Sequence, residues 1–316
     1  MKTKRQINKI KTVTIVIIII IFLSLFAKWS AKPENLGGLI DSIEVFFENN
    51  EFKDFYNAKS LLVLDLSNDN DFLSKNVEDK QIPASLAKLF VIEYASKFTN
   101  LDDIVLVNNE SLELTKQGSS VANIKEKKYY LKNLFAAMLV PSGNDAAYVV
   151  ADYCGGIISK EAKNSKERIN VFMNKLNEYL KEEGYNDTKL YDPSGYDPKA
   201  QTTVSDLSKV VKKLLKYQWF RDIVSKTSYT AILPDKSKQT WKNTNVFLDP
   251  TSEYYNENVL GVKTGSLSND YNLIVLYKKH GKEFLICSLG SKSDVSRYND
   301  VNYILKTIDE SDYLRK

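Results

Sequence analysis

Apolar positions along this chain fall into three textures. The first is one unbroken run, Thr12 to Ala27 (TVTIVIIIIIFLSLFA), with no charge in it. The second is helical, with apolar residues recurring every three or four positions. Leu86, Leu89, Phe90, Ile92 and Tyr94 predict a helix over Ser85 to Phe98. Tyr130 to Val140 and Asp145 to Tyr153 predict two more, separated by Pro141-Ser142-Gly143. Ile169 to Glu183 predicts an amphipathic helix that Gly184 ends, and Val204 to Tyr217 another, with Ser205 and Asp206 suited to its start. The third texture is short dense runs bounded by polar turn residues, which predict strands. One lies early, at Ser60 to Leu66. Four lie late, at Ser228 to Leu233, Val259 to Val262, Tyr271 to Tyr277 and Glu283 to Leu289. Lys278 to Lys282 joins the last pair as a hairpin, and Asp294 to Ile308 closes the chain as a helix. An early strand, a helical middle and late strands predict a sheet closed by both chain ends, with a helical region inserted.

Charge gives the first run a meaning. Lys2, Lys4, Arg5, Lys9 and Lys11 precede it, with no acid among them. Sixteen helical residues reach about 24 Å, a little short of the ~30 Å hydrocarbon core. Lys11 and Lys28 can snorkel and Trp29 suits the interface, so a span is feasible. No small-x-small cleavage site follows, which favours an uncleaved anchor over a signal peptide. Basic residues before the span place the N-terminus in the cytoplasm and the rest of the chain outside. Residues 29–57, with Pro33 and Gly37-Gly38, read as a stalk.

Composition narrows the chemistry. The net charge of +4 comes from 44 basic and 40 acidic residues, and much of the excess sits in the first eleven positions. No basic face for nucleic acid is implied. Cys154 and Cys287 are too few for a disulfide framework. With His280 as the one histidine, ligands are also too few for a protein-built zinc site. His280 sits in the turn Lys278 to Lys282, a poor place for the base of a Ser-His-Asp triad. Hydrolytic chemistry here needs a nucleophile activated without histidine, metal or cofactor.

Three segments supply such a nucleophile. In Pro83-Ala84-Ser85-Leu86-Ala87-Lys88, Ser85 and Lys88 share one helix face. Ser85 lies near the helix N-terminus, where the dipole favours negative charge. Lys88 can serve as base once burial or a second cation lowers its pKa. Ser142-Gly143-Asn144 forms a turn before a helix, and Lys263-Thr264-Gly265 ends a strand run. Each alone has a plain structural reading, as an N-cap or a strand end. Together, in this order, they match the signature of penicillin-binding proteins and class A β-lactamases.

The chain resembles the low-molecular-mass D-Ala-D-Ala carboxypeptidases, a family of serine peptidases, over roughly residues 58 to 309. Ser142-Gly143-Asn144-Asp145-Ala146-Ala147, Asp192-Pro193-Ser194-Gly195, Asn243-Thr244-Asn245 and Gly261-Val262-Lys263-Thr264-Gly265 fall in family order. The resemblance implies an α+β fold of the serine β-lactamase and DD-peptidase type: an antiparallel sheet flanked by helices, plus a helical subdomain. It implies that Ser85 is the nucleophile and Lys88 its base. Ser142 then relays a proton to the leaving amine, and Asn144 positions Lys88 and the substrate backbone. Lys263 adds positive charge that depresses Lys88 and attracts the substrate carboxylate. Thr264, Gly265 and Ser266 line the substrate, and the N–H groups of Ser85 and Ser266 form the oxyanion hole.

The implied partners are peptidoglycan stem peptides ending in D-Ala-D-Ala, β-lactams as covalent inhibitors, and the membrane. The chain then divides into a basic tail (1–11), an anchor or signal segment (12–28), a stalk (29–57) and a catalytic domain (58–312). Three departures from the family pattern affect substrate preference and rate: Asn269-Asp270 replaces a small pair before Tyr271-Asn272-Leu273, Leu267 replaces a hydroxyl residue, and an Arg common before the first Asn of Asn243-Thr244-Asn245 is missing. The competing readings are a β-lactam sensor without turnover, an inactive peptidoglycan-binding module and a class A β-lactamase. The last implies a Glu-x-x-Leu-Asn pattern, and the nearest candidate, Glu178, is followed by Tyr179-Leu180-Lys181-Glu182.

Overall fold

The structure, a computed structural model, describes residues 56–311. The expected tail, the anchor and nearly all of the stalk lie outside the described residues. Five strands form an antiparallel sheet in the order β2-β1-β9-β8-β7. They are β1 Ser60–Asp65, β2 Asn70–Lys75, β7 Val259–Leu267, β8 Asp270–Lys279 and β9 Lys282–Ser291. The first described strand lies directly against the last, with Leu62 opposite Cys287 and Val63 opposite Ile286. The early strand and the late strands therefore close one sheet, as the pattern predicted.

Both sheet faces are covered, which explains why these strands read as solid apolar runs. Successive strand residues point to opposite faces. Leu62, Leu64, Ile274, Leu276, Leu285 and Cys287 join the core shared with the helices. The alternate set, including Val63, Val275 and Ile286, is also fully buried. The C-terminal helix Asp294–Glu310 packs on β8 and β9.

The helical region is built around α1, Ala87–Ala95. It contacts α3 (Leu131–Leu139), α4 (Asn144–Ile158), α5 (Ser165–Glu182) and α6 (Val204–Leu214). With neighbours all round, α1 buries nearly every residue and has almost no polar face. Caps set where several helices start. Asn164 accepts from the Glu167 N–H, so α5 begins four residues before the apolar periodicity. Thr203 accepts from the Asp206 N–H and caps α6, the role the sequence reading gave to Ser205 and Asp206. The helix expected over Val204 to Tyr217 ends at Leu214, and a separate helix, α7 (Gln218–Val224), starts after the extended Tyr217.

The pattern missed the small elements: α2 (Asn109–Glu113), β3 (Ile104–Leu106), β4 (Lys128–Tyr130) and β6 (Lys238–Lys242), which pairs with β5 (Ser228–Ile232). It also ended β7 too early. That strand runs through Lys263-Thr264-Gly265 to Leu267 and turns at Ser268-Asn269 into β8. The closing helix, Asp294–Glu310, is α8. Among the described residues no helix is long and apolar enough to cross a membrane.

Candidate active site

The turn that carries Ser85 is held from three sides. Pro83 leads into a 3₁₀ turn, Ala84–Leu86, which runs directly into α1. Ala84 sits at φ +49°, a left-handed conformation that costs a residue with a Cβ about 1–2 kcal/mol. Its surroundings fix it there. Gly195 lies so close that a Cβ would meet the Ala84 carbonyl oxygen at 1.9 Å, and Gly265 of β7 so close that a Cβ would meet the Pro83 oxygen at 2.9 Å. Asn272 of β8, fully buried, donates to the carbonyls of Ile82 (2.8 Å) and Pro83 (3.0 Å) and accepts from the Gly290 N–H (2.8 Å). The Ser85 turn is thereby tied to the middle of the sheet.

Lys88, one turn on, is fully buried. Its Nζ lies 2.8 Å from Ser85 Oγ, 2.7 Å from Asn144 Oδ1 and 3.0 Å from the Ser194 carbonyl oxygen. Burial pushes its pKa down to about 7, against the opposing pull of Asp192 and Asp145. An amine at that value, within hydrogen-bond reach of a hydroxyl, meets both requirements of a general base near neutral pH. Ser85 itself is half-buried.

A second lysine and serine face this pair. Ser142, at φ +64°, ends the link between α3 and α4. The Asp145 carboxylate shapes that corner by accepting from the N–H groups of Ala122 (2.8 Å), Ile124 (2.9 Å) and Ala146 (2.9 Å). Lys263 of β7, also buried, donates to Ser142 Oγ at 2.7 Å and to the Thr264 carbonyl at 2.9 Å. Burial lowers its pKa well below the usual lysine value, and repulsion from Lys88 and Arg297 adds to this. The depression at Lys88 is likewise led by its own burial. The Thr264 and Thr244 hydroxyls are 2.7 Å apart, and Ser266 is exposed at the rim.

All eight residues singled out from the sequence thus converge: Ser85, Lys88, Ser142 and Asn144 around the two amines, and Lys263, Thr264, Gly265 and Ser266 along β7. Three residues given no role in that reading join them. Asn272 is one. Asp192 is the second: its carboxylate gathers the N–H groups of Ser194 (2.8 Å), Tyr196 (3.3 Å) and Asp197 (2.7 Å), which aims the Ser194 carbonyl at Lys88. Arg297, in the first turn of α8, is the third. It donates to Ser266 Oγ (2.9 Å) and to the carbonyls of Gly265 (3.2 Å) and Asn272 (3.1 Å), and pairs with Asp294. Asn272 and Asp192 lay inside strings already matched to the family, so that signal pointed to them. Arg297, on the closing helix, lay outside every matched string. Glu178, the nearest candidate for a deacylating base, lies exposed on α5 and accepts from Lys175 at 2.6 Å.

The family profile described as D-alanyl-D-alanine carboxypeptidase matches residues 48–292. A D-alanyl-D-alanine carboxypeptidase of Streptomyces sp. (strain K15) is 27% identical over 243 residues, covering 73% of this chain and 80% of the relative. D-alanyl-D-alanine carboxypeptidase DacC of Escherichia coli (strain K12) is 25% identical over 265 residues, covering 78% of this chain and 60% of the relative. The chain therefore spans most of the Streptomyces relative and about three-fifths of the other. The crystal structure of the Streptomyces K15 DD-transpeptidase matches with a TM-score of 0.70 at 24% identity, over 79% of this chain and 96% of that one. Penicillin-binding protein D2 from Listeria monocytogenes, in its ampicillin-bound form, matches at 0.62 and 20% identity, over 80% and 97%. The expected α+β fold, an antiparallel sheet with helices around it, is the one found.

Proposed function

The chain belongs to the D-alanyl-D-alanine carboxypeptidase family of serine peptidases, and from that premise we propose that it releases the terminal D-Ala of peptidoglycan stem peptides through an acyl-enzyme on Ser85. The observation that carries this reading is the 2.8 Å approach of a buried, depressed Lys88 amine to Ser85 Oγ. Neutral Lys88 takes the hydroxyl proton as Ser85 Oγ attacks the carbonyl of the penultimate residue. The N–H groups of Ser85 and Ser266 hold the oxyanion. The proton lost to Lys88 returns to the departing amine by way of Ser142, so D-Ala leaves neutral at its nitrogen. Water then attacks the Ser85 ester, releasing the shortened peptide and the free serine. Asn144 keeps Lys88 aimed throughout.

Lys263 and Arg297, with the Thr264 hydroxyl, form the donor-rich end of the cleft, where the substrate's terminal carboxylate belongs. Penicillin carries its carboxylate in the same relation to a reactive carbonyl and acylates Ser85. Glu178, the nearest glutamate candidate for activating deacylating water, is exposed on α5 and paired to Lys175, which disfavours a class A β-lactamase. Residues 12–28 hold the enzyme in the membrane with its catalytic domain (58–312) outside, in reach of the wall.

The test is D-Ala release from a peptide ending in D-Ala-D-Ala. The wild type releases D-Ala and penicillin stops it, whereas Ser85→Ala releases none. Release by Ser85→Ala would remove this serine from the mechanism.

A further inference from the structure

Two side chains of β6 reach across to the corner that carries Ser142. Trp241 Nε1 donates to the Ala122 carbonyl at 2.7 Å. Gln239 Nε2 donates to the same carbonyl at 2.9 Å and to that of Asn123 at 3.0 Å. Trp241 and Ala122 are both buried. A buried indole N–H needs an acceptor and a buried carbonyl needs a donor, so each fixes the other. The Trp241 ring is held in turn by stacking on Tyr229 of β5, with centroids 6.3 Å apart and planes 13° apart.

The Ala122 turn is fastened to the Ser142 corner on its far side. The Asp145 carboxylate accepts from the Ala122 and Ile124 N–H groups, and the Asn144 N–H donates to the Ser120 carbonyl at 2.8 Å. Gly143 packs so closely on the turn that a Cβ there would meet Ala122 Cβ at 2.6 Å and Ala122 N at 3.0 Å. Just past β6, the Thr244 N–H donates to the Val140 carbonyl at 3.1 Å. The segment 239–244 thus grips the chain on both sides of Ser142. Ser142 itself sits at φ +64°, a conformation that persists in a residue with a Cβ only where its surroundings over-determine it. Its Oγ then stands 2.7 Å from Lys263 Nζ.

Resting on the proton path given above, we propose that Trp241 and Gln239 are positioning residues for Ser142: through the Ala122 turn, β6 sets where that hydroxyl stands when the leaving amine takes its proton. Ser85 passes its proton to Lys88 whatever the leaving group. Lys88 then returns it to Ser142 Oγ as Ser142 gives its own to the nitrogen, whose bond to the acyl carbon breaks. A depsipeptide ending in D-Ala-D-lactate puts an oxygen there, far less basic than an amine nitrogen. Its C–O bond breaks with little proton transfer, and the proton follows afterwards. The ratio of kcat/KM for the D-Ala-D-Ala peptide to that for the depsipeptide therefore isolates the step at Ser142, and any change at Lys88, common to both substrates, cancels.

In the full-length protein, Trp241→Phe with Gln239→Ala is expected to lower this ratio about tenfold while the depsipeptide rate stays within about twofold, on the scale that sub-ångström to ångström displacements cost. Asp145→Asn loosens the same turn from the opposite side and leaves the tryptophan in place. It lowers the ratio as well, and it reads the clamp if the β6 variant does not fold. An unchanged ratio in either folded variant, or amide and ester rates that fall in the same proportion, overturns the positioning role. If the wild type cleaves neither substrate and penicillin does not label Ser85, the proton path itself fails and the positioning role falls with it.

Discussion

Lys88 is under opposing demands. A lysine with no exposed surface is penalised for its charge, yet three oxygens within 3.0 Å reward a donor. Burial wins, and the amine comes down to about 7. The neutral form, which can accept a proton, predominates above that value. Acylation of the enzyme by penicillin is therefore expected to rise with pH, level off above about 7, and show an ascending limb of unit slope below it. A limb near the ordinary lysine value would assign the base to another group. Lys88→Arg keeps the charge and reach but holds its proton. It is expected to lose at least about a hundredfold in acylation rate, the lower range of general-base contributions. These residues were legible in the sequence because each motif packs its chemistry into three or four adjacent positions. Arg297 was not, since its partners Gly265, Ser266 and Asn272 come from strands that only the fold brings to it.

At the scale of elements, the loop Asp192–Asp197 and the strand β7 act as the two jaws that hold the Ser85 turn. Gly195 at φ +77° presses on the Ala84 carbonyl. Gly195→Ala puts a methyl into backbone and strains the residue as well. It is expected to destabilise the protein by about 2 kcal/mol or more in denaturant unfolding and to slow acylation with it. Unchanged stability would mean that the loop does not grip the turn. Asp192→Asn tests a different link. The Asp192 charge raises the Lys88 pKa, so its removal lowers that pKa further, and the ascending limb of the acylation profile moves to lower pH. A merely structural role would reduce the rate without moving the limb. The long elements were readable because burial writes itself into the pattern: β1, β8 and β9 are apolar on both faces, and α5 carries one stripe. The edge elements were not. Asn70–Lys75 buries only Leu73, and Lys238–Lys242 only Trp241, too little for any periodicity. The extension of β7 was hidden because Lys263 and Thr264, polar by type, are buried for chemistry rather than by hydropathy.

For the whole molecule, the fold depends on its first described residues. The Ala58 N–H donates to Asp300 at 2.9 Å and Asn57 to the same carboxylate at 3.1 Å, while Tyr56 is buried against Tyr303. These contacts fasten the start of the domain to α8. A fragment beginning at Glu51 keeps them. It is expected to stay in the supernatant and to be labelled by a fluorescent penicillin as fast as the full chain, while the full chain sediments with membranes. Full-length chain that stays soluble would refute the anchor at 12–28. The account as a whole stands on one bond, the ester between Ser85 Oγ and an acyl donor, and mass mapping reads that bond directly. The protein is treated with benzylpenicillin, digested and sequenced by tandem mass spectrometry. One penicilloyl group is expected, on Ser85, and none in Ser85→Ala or Lys88→Ala. An adduct on any other residue, or one that forms without Lys88, would contradict the account.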